Sequence, residues 1–250
     1  MTVVRPIGPW LLCVNMFMQK VKRRGRGRPP GATAEGAATK RRLYETAIGL
    51  MARKGYESTT LRDVAKEAGV SAGLLYRYFP SKRAVLVALY DELSTDYASR
   101  ALAMPRGKWR DRFLFALTTS LEVLAPHRTA LEGLIPVLVG DPDEGVFAPG
   151  MAFSRERVQG VFVLAVTGAT DSPGAPLAPA LGRLLYLVHL AVLLWWLLDR
   201  TGSQRATSAL VGLARQIMPS AALTLRLPPV RRLLLSGDAL FREAMLGEAR

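Results

Sequence analysis

Cysteine and histidine are scarce in this sequence. Its 250 residues contain one cysteine, Cys13, and two histidines, His127 and His189. A single cysteine cannot form a disulfide within the chain, and so few Cys and His side chains cannot build a metal cluster. We therefore expect no metal and no cofactor. The lack of disulfides is consistent with a reducing compartment, and we expect the protein to be cytoplasmic.

Catalytic signatures are also scarce. The chain contains no P-loop and no pair of carboxylates at a spacing that would support acid–base catalysis. Only two histidines are available as general bases. We predict that the protein is not an enzyme.

Hydrophobic runs are too short for a clear membrane span. The longest, Leu184–Leu198, has 15 residues and lies between Arg183 and Asp199, whereas a transmembrane helix needs about 20 apolar residues. This pattern favours a buried core helix and no membrane. A membrane-associated helical protein is the rival interpretation, and fractionation after lysis would test it.

Positive charge is concentrated near the start of the chain. Residues 1–42 contain ten Lys and Arg but a single acid, Glu35, so they carry nine of the fourteen net positive charges. The stretch 20–33, KVKRRGRGRPPGAT, is too rich in Gly, Pro and Arg to pack a core. We interpret residues 1–36 as a basic, disordered arm that suits a polyanionic partner. A solvated tail without a partner is the alternative.

The first 17 residues fit neither the arm nor a folded domain. Their apolar stretch, PWLLCVNMFM, is short and has no small-residue cleavage site after it, so a signal peptide is not indicated. Met16 or Met18 is an alternative start of translation.

Helical periodicity dominates the rest of the chain. Apolar residues recur at spacings of three and four, as in Leu43, Ala47, Leu50 and Met51, and strand signals are scarce. The sequence therefore predicts an all-α protein. We expect residues 37–83 to form one helical domain and residues 84–250 a second.

Two short helices joined by a tight turn are predicted within the first domain. Thr60 and Asp63 are spaced as a capping box before a helix over 61–68, and Ser71 can cap another that runs to Phe79. The connecting AGVS contains a glycine, which is typical of a helix-turn-helix. In that motif the last helix enters the DNA major groove. Tyrosines on an amphipathic helix are also ordinary core residues, so spacing alone leaves both interpretations open.

The segment TTLRDVAKEAGVSAGLLYRYFPSKRAVLVALYDEL resembles the DNA-binding region of the tetracycline-repressor (TetR) family of transcriptional regulators. The resemblance covers roughly residues 39–93. It implies a homodimer with an N-terminal three-helix helix-turn-helix domain and a C-terminal helical bundle that binds a small molecule and forms the dimer. A double-stranded DNA operator and a small-molecule effector are the implied partners.

The resemblance also implies which residues contact DNA. Bases would be faced by the first half of the third helix, and phosphates by flanking polar residues. The DNA-binding positions are Thr60, Ser71, Ala72, Gly73, Tyr76, Arg77, Tyr78 and Lys82. In the arm, RGRGRPPG is similar to an element that enters an A·T-rich minor groove, with Arg26 and Arg28 as its contacts. A non-specific phosphate tether is the alternative role.

The C-terminal region is predicted to contain an apolar pocket with few polar groups. Its candidate lining residues are Phe113, Leu117, His127, Phe162 and His189. A histidine in a leucine-rich helix such as His189 is more often a core or interface residue. The last pair of long helices, over 181–199 and 204–218, falls where the family builds its dimer interface.

The sequence therefore predicts a sequence-specific DNA-binding transcriptional regulator, a homodimeric repressor that a ligand releases from DNA. A ligand-responsive activator is one alternative, and a non-specific chromosome-associated protein is another.

Overall fold

A computed structural model describes residues 33–247, and all regular structure within this range is helical. The all-α prediction is therefore confirmed. The α-helices of this range are α1 (Ala34–Lys54), α2 (Leu61–Glu67), α3 (Ala72–Tyr78), α4 (Lys82–Ala101), α5 (Trp109–Leu124), α6 (Arg128–Gly140), α7 (Ala152–Thr167), α8 (Leu177–Leu198), α9 (Arg205–Thr224) and α10 (Pro228–Leu246). Most of the predicted arm, including Arg26 and Arg28, lies outside the described residues.

Side-chain caps begin the short helices α2 and α3. The Thr60 hydroxyl accepts a hydrogen bond from the Asp63 amide at 3.1 Å, and the Asp63 carboxylate accepts one from the Thr60 amide at 3.1 Å. Ser71 Oγ accepts from the Leu74 amide at 3.2 Å. These bonds satisfy amides that have no partner within the helix, which matters most in helices of seven residues. The predicted capping box is confirmed.

Helix α4 connects the two parts of the molecule. Its first half contributes Val85, Leu86 and Leu89 to a hydrophobic cluster with α1, α2 and α3. Its second half contributes Tyr97 to a separate cluster with α5, α7 and α8. One continuous helix of 20 residues thus belongs to both cores.

Helix α6 extends the core of the N-terminal helices. Leu131 and Leu134 belong to the same buried cluster as Leu50 and Met51 of α1. The helices lie so close that a Cβ on Gly133 would be 3.1 Å from the Met51 carbonyl oxygen. The helix-turn-helix unit therefore packs on α6 as well as on α4.

Helix α8 is longer than the sequence pattern indicated. It begins at Leu177. Pro179 does not prevent this start, since it lies in the first turn, where proline is tolerated. Within residues 33–247, α8 is the single helix whose length and hydropathy would allow it to cross a membrane. In its most hydrophobic window of 18 residues, 44% is buried inside the protein. The apolar run of 15 residues is therefore shorter than the 22-residue helix that contains it, and the run length alone did not exclude a span. The prediction of a buried core helix is right for one face of α8, where Tyr186 and His189 are buried. On another face, Trp195 is 50% exposed.

Helix α9 also exceeds its predicted end. It continues through Pro219 to Thr224, whereas we expected it to stop at Met218. Together α8, α9 and α10 leave large apolar side chains exposed, among them Val188, Leu213 and Ile217.

Candidate nucleic-acid interface and ligand cavity

Helix α3 presents one exposed polar and small-residue face. Leu75 is fully buried and fixes the helix against α1, α2 and α4. Ser71, Ala72, Gly73 and Arg77 are exposed, and Tyr76 is 46% exposed. Residues three and four apart share a helix face, so the structure brings these predicted contacts together on the solvent side.

Two other predicted contacts are already engaged within the protein. Tyr78 is partly buried and packs against the hydrophobic cluster. The Thr60 hydroxyl donates to Asp63 Oδ2 at 2.6 Å within its capping box. A phosphate contact by Thr60 would compete with this bond.

Lys82 is held by the loop that precedes α2. Its Nζ donates to the Tyr56 carbonyl oxygen at 2.9 Å and lies 4.3 Å from the centre of the Tyr56 ring. Its side chain is 26% exposed, and the nearest carboxylate oxygen, in Glu57, is 3.9 Å away. The ammonium group is thus held against this loop, and Lys82 is the first residue of α4, four residues beyond the end of α3.

Tyr56 extends this contact to the loop between α6 and α7. Its hydroxyl donates a hydrogen bond to the carboxylate of Glu144. Burial, and then this hydrogen bond, raise the pKa of Tyr56 well above its usual range. The chain Lys82–Tyr56–Glu144 therefore links the candidate DNA-binding face to the C-terminal helices.

A cavity of about 350 Å³ lies among α4, α6, α7 and α8. Most of its wall is apolar, including Leu93, Leu131, Phe147 and Trp196. The polar and charged side chains in the wall are those of Ser94, Ser120, Ser154, Arg155, His189 and the tyrosines at positions 90, 97 and 186. A mostly apolar cavity with a few polar groups is typical of a small-molecule site.

Only one of the five predicted pocket residues lines this cavity. His189 is in its wall, whereas Phe113, Leu117 and Phe162 are completely or almost completely buried in the adjacent core. His127 lies in a 3₁₀ turn before α6 and is not part of the wall either. The prediction for these four positions needs correction, because periodicity identifies inward faces but not which of them border a void.

His189 is held in a neutral state. Burial lowers its pKa to about 3. Its Nε2 is 2.8 Å from Ser120 Oγ, and its Nδ1 has no hydrogen-bond partner among residues 33–247. A Ser–His pair resembles a nucleophile with its base, but a base with so low a pKa, and with no carboxylate to orient it, cannot accept a proton effectively near neutral pH.

One catalytic-looking pattern escaped the sequence analysis. Residues 69–73 spell G-x-S-x-G, which marks the nucleophile of some hydrolases when the serine lies between a strand and a helix. Here Ser71 lies between α2 and α3 and caps the latter. Helix capping therefore explains the pattern.

The cavity shares its wall with the core of the helix-turn-helix unit. Leu93, Leu131, Met151 and Trp196 line the cavity and belong to the same buried cluster as Leu50 of α1. Val146 and Phe147, in the loop that contains Glu144, line it as well. Sequence reasoning assigned no role to Tyr56, Glu144 or Arg155, although the acidic loop GDPDEG was a visible signal.

Comparison with known proteins supports the fold and the N-terminal unit. Residues 43–89 match the family model of bacterial regulatory proteins of the tetR family. These residues are therefore similar to the DNA-binding unit of that family. The matched residues include all of α2 and α3 and the tightly packed parts of α1 and α4.

Curated relatives match a short part of this chain. The uncharacterized HTH-type transcriptional regulator YuxN of Bacillus subtilis (strain 168) is 46% identical over 57 residues, which cover 21% of this chain and 20% of that protein. The HTH-type transcriptional repressor KstR of Rhodococcus jostii (strain RHA1) is 43% identical over 49 residues, covering 20% and 23%. The chain thus spans about a fifth of the length of these relatives.

Solved structures show that the fold is shared over most of the chain. A tetR-family transcriptional regulator from Streptomyces coelicolor superposes with a TM-score of 0.56 at 19% identity, over 81% of this chain and 89% of that one. The regulator FadR from Bacillus subtilis, solved with stearoyl-CoA, gives 0.53 at 13% identity, over 70% and 96%. A regulator from Saccharomonospora viridis, solved with choline, gives 0.55 at 17% identity, over 73% and 96%.

Proposed function

We propose that this protein is a sequence-specific DNA-binding transcriptional repressor of the cytoplasm, a homodimer that a small molecule releases from its operator, and that it is not an enzyme. One observation carries the proposal: the exposed face of α3 and the wall of the cavity are built on the same hydrophobic cluster. An event in the cavity can therefore change the position of α3.

DNA binding would use the exposed α3 face in the major groove. Ala72 and Gly73 allow close approach, Tyr76 supplies a ring and a hydroxyl for base edges, and Lys82 supplies charge for a phosphate. Ser71 and Arg77 would fix the register. For these residues the exposure of the α3 face supports the assignment.

Dimerisation would use the apolar surface of α8, α9 and α10. Val188, Trp195, Leu213, Ile217 and Leu233 are each about half exposed or more. Single exposed apolar residues are normal on a monomer, whereas a group of them on neighbouring helices marks an interaction surface. A two-fold axis here would present two α3 helices to successive major grooves, about 34–36 Å apart.

Release by ligand would act through two contacts. Helix α6 forms part of the cavity wall and packs against α1 at Gly133. The following loop lines the cavity with Phe147 and holds Tyr56 through Glu144. A ligand that moves α6 or this loop would reposition the helix-turn-helix unit, and DNA would weaken ligand binding by the same factor.

Selection of bound oligonucleotides with the full-length protein tests the proposal. We expect a palindromic site, and we expect Tyr76→Ala to weaken binding to it by at least tenfold, about 1.4 kcal/mol. Leu102→Ala, an exposed position at the end of α4, is the matched control and should bind as wild type. Enrichment of no sequence at any salt concentration would contradict the proposal and favour a non-specific chromosome-associated protein.

A further inference from the structure

Arg155 differs from most arginines that face the interior of the C-terminal helices, because they are held by close partners. Arg112 donates to three carbonyl oxygens, of Pro105, Leu164 and Ala165, at 2.8–3.1 Å. Arg128 pairs with Glu132 at 2.7 Å, Arg157 with Asp91 at 2.9 Å, and Arg183 with Asp238 at 2.6 Å. Arg155 lines the cavity, and its Nη1 donates two long hydrogen bonds, to the carbonyl oxygens of residues 146 and 148 at 3.3 and 3.5 Å. Within residues 33–247, no carboxylate lies within ion-pair distance of its guanidinium.

The guanidinium lies in an apolar part of the wall. It is 5.9 Å from the centre of the Phe147 ring. Its charge also reaches Tyr186, another wall residue: burial raises the pKa of Tyr186, and Arg155 partly opposes that rise. A partly buried cation without an anion is electrostatically unfavourable, so an anion that enters the cavity gains a ready partner.

The rest of the wall offers no second charge. Its other polar groups are serine and tyrosine hydroxyls and the neutral imidazole of His189. A cationic ligand would find no carboxylate there and would be repelled by Arg155. The positive charge of the cavity wall therefore distinguishes ligands that have the same hydrocarbon body but head groups of different charge.

We propose that the cavity binds an amphipathic carboxylate, whose head group forms a charge-assisted hydrogen-bonded pair with Arg155 and whose hydrocarbon body fills the apolar remainder. This inference rests on the proposed function of the cavity as the effector site. The volume of about 350 Å³ suits a molecule at the small end of the usual ligand range. The open fork of a guanidinium suits the two oxygens of a carboxylate.

Three probes with the same ten-carbon chain test the charge: decanoate, decanol and decyltrimethylammonium, each titrated calorimetrically into the full-length protein below its micelle or solubility limit. We expect decanoate to bind most tightly. In Arg155→Met its affinity should fall by roughly 10- to 100-fold, whereas decanol should bind within about twofold of wild type. Arg155→Lys keeps the charge and should retain part of the preference.

The control is Arg106→Met, which removes the same charge at an exposed position outside the cavity and should leave decanoate binding unchanged. Decanol binding to each variant shows that the cavity is intact. Equal affinity for decanoate and decanol, or a preference that survives Arg155→Met, would overturn the carboxylate assignment while leaving an apolar effector site. If none of the three probes binds the wild-type protein, the cavity does not bind such chains and this inference is wrong. Operator binding is measured separately by gel shift, so that the DNA-binding function is tested independently.

Discussion

The hydrogen bond between Tyr56 and Glu144 offers a direct test of how the two parts of the molecule communicate. Tyr56→Phe removes the hydroxyl and keeps the ring beneath the Lys82 ammonium, while Glu144→Gln removes the charge of the acceptor. A hydrogen bond to a charged group contributes about 1.5–3 kcal/mol. Glu144 is only partly buried and can be rehydrated, so we expect each variant to lose about 1 kcal/mol of unfolding free energy.

A double-mutant cycle isolates the pair. If both residues contribute mainly through this bond, the double variant loses no more than either single one, and the coupling energy is about 1 kcal/mol. Urea denaturation measures it. Tyr90→Phe is the matched control: its hydroxyl is buried without a partner among the described residues, so removing it should leave stability unchanged or raise it.

Operator binding supplies the functional half of the test. The Tyr56 carbonyl oxygen accepts a hydrogen bond from Lys82 Nζ. If loss of the Glu144 contact lets Tyr56 move, Lys82 is positioned less well, and operator affinity should fall by about two- to fivefold, up to about 1 kcal/mol. The slope of affinity against salt should stay unchanged, because no charge on the DNA-binding face is removed. Additive stability losses would show that the bond is not formed in solution. Coupled stability losses with wild-type operator affinity would show that the bond does not position Lys82.

The remaining predictions address charge, packing and pH. Lys82→Met should lower the salt slope of operator binding, by about 0.9 for each protomer if it contacts one phosphate, as measured by titration at several salt concentrations. Gly182→Ala should cost about 1–3 kcal/mol in urea denaturation, because its Cβ would lie 2.5 Å from the Cα of Val163. The pKa of His189 is lowered in the folded state to about 3, so only the unfolded state gains a proton below about pH 6.5. Stability should therefore fall by about 1 kcal/mol between about pH 7.5 and pH 5.5 and fall less in His189→Asn; a wild type with flat stability would contradict the buried neutral imidazole.

Local chemistry made the N-terminal unit predictable. Thr60, Ser71 and Ser81 each cap a helix through an amide three residues on, so a few adjacent letters determine where α2, α3 and α4 begin. Gly55 and Gly69 end their helices with positive φ angles of 84° and 65°, which glycine adopts readily. The exposed face of α3 then follows from helical periodicity once Leu75 is placed in the core.

The cavity depends on contacts between distant residues and could not be predicted in the same way. Phe113 and Phe162 have the same apolar character as Phe147, yet only Phe147 lines the void. The difference arises from how α5 and α7 cross, which no local pattern records. Arg155 and Arg157 are likewise two residues apart on α7, yet Asp91 of α4 pairs with Arg157 and Arg155 lines the cavity.

The hydrophobic cluster shared by α1–α4 and α6 has a consequence for protein engineering. A fragment cut after α4 would leave Leu50 and Met51 without the cover of Leu131 and Leu134, and water would reach the interior of the three-helix unit. A chimera that transplants only the first hundred residues onto another sensor would have the same defect. The portable module must include α6, and with it one wall of the cavity.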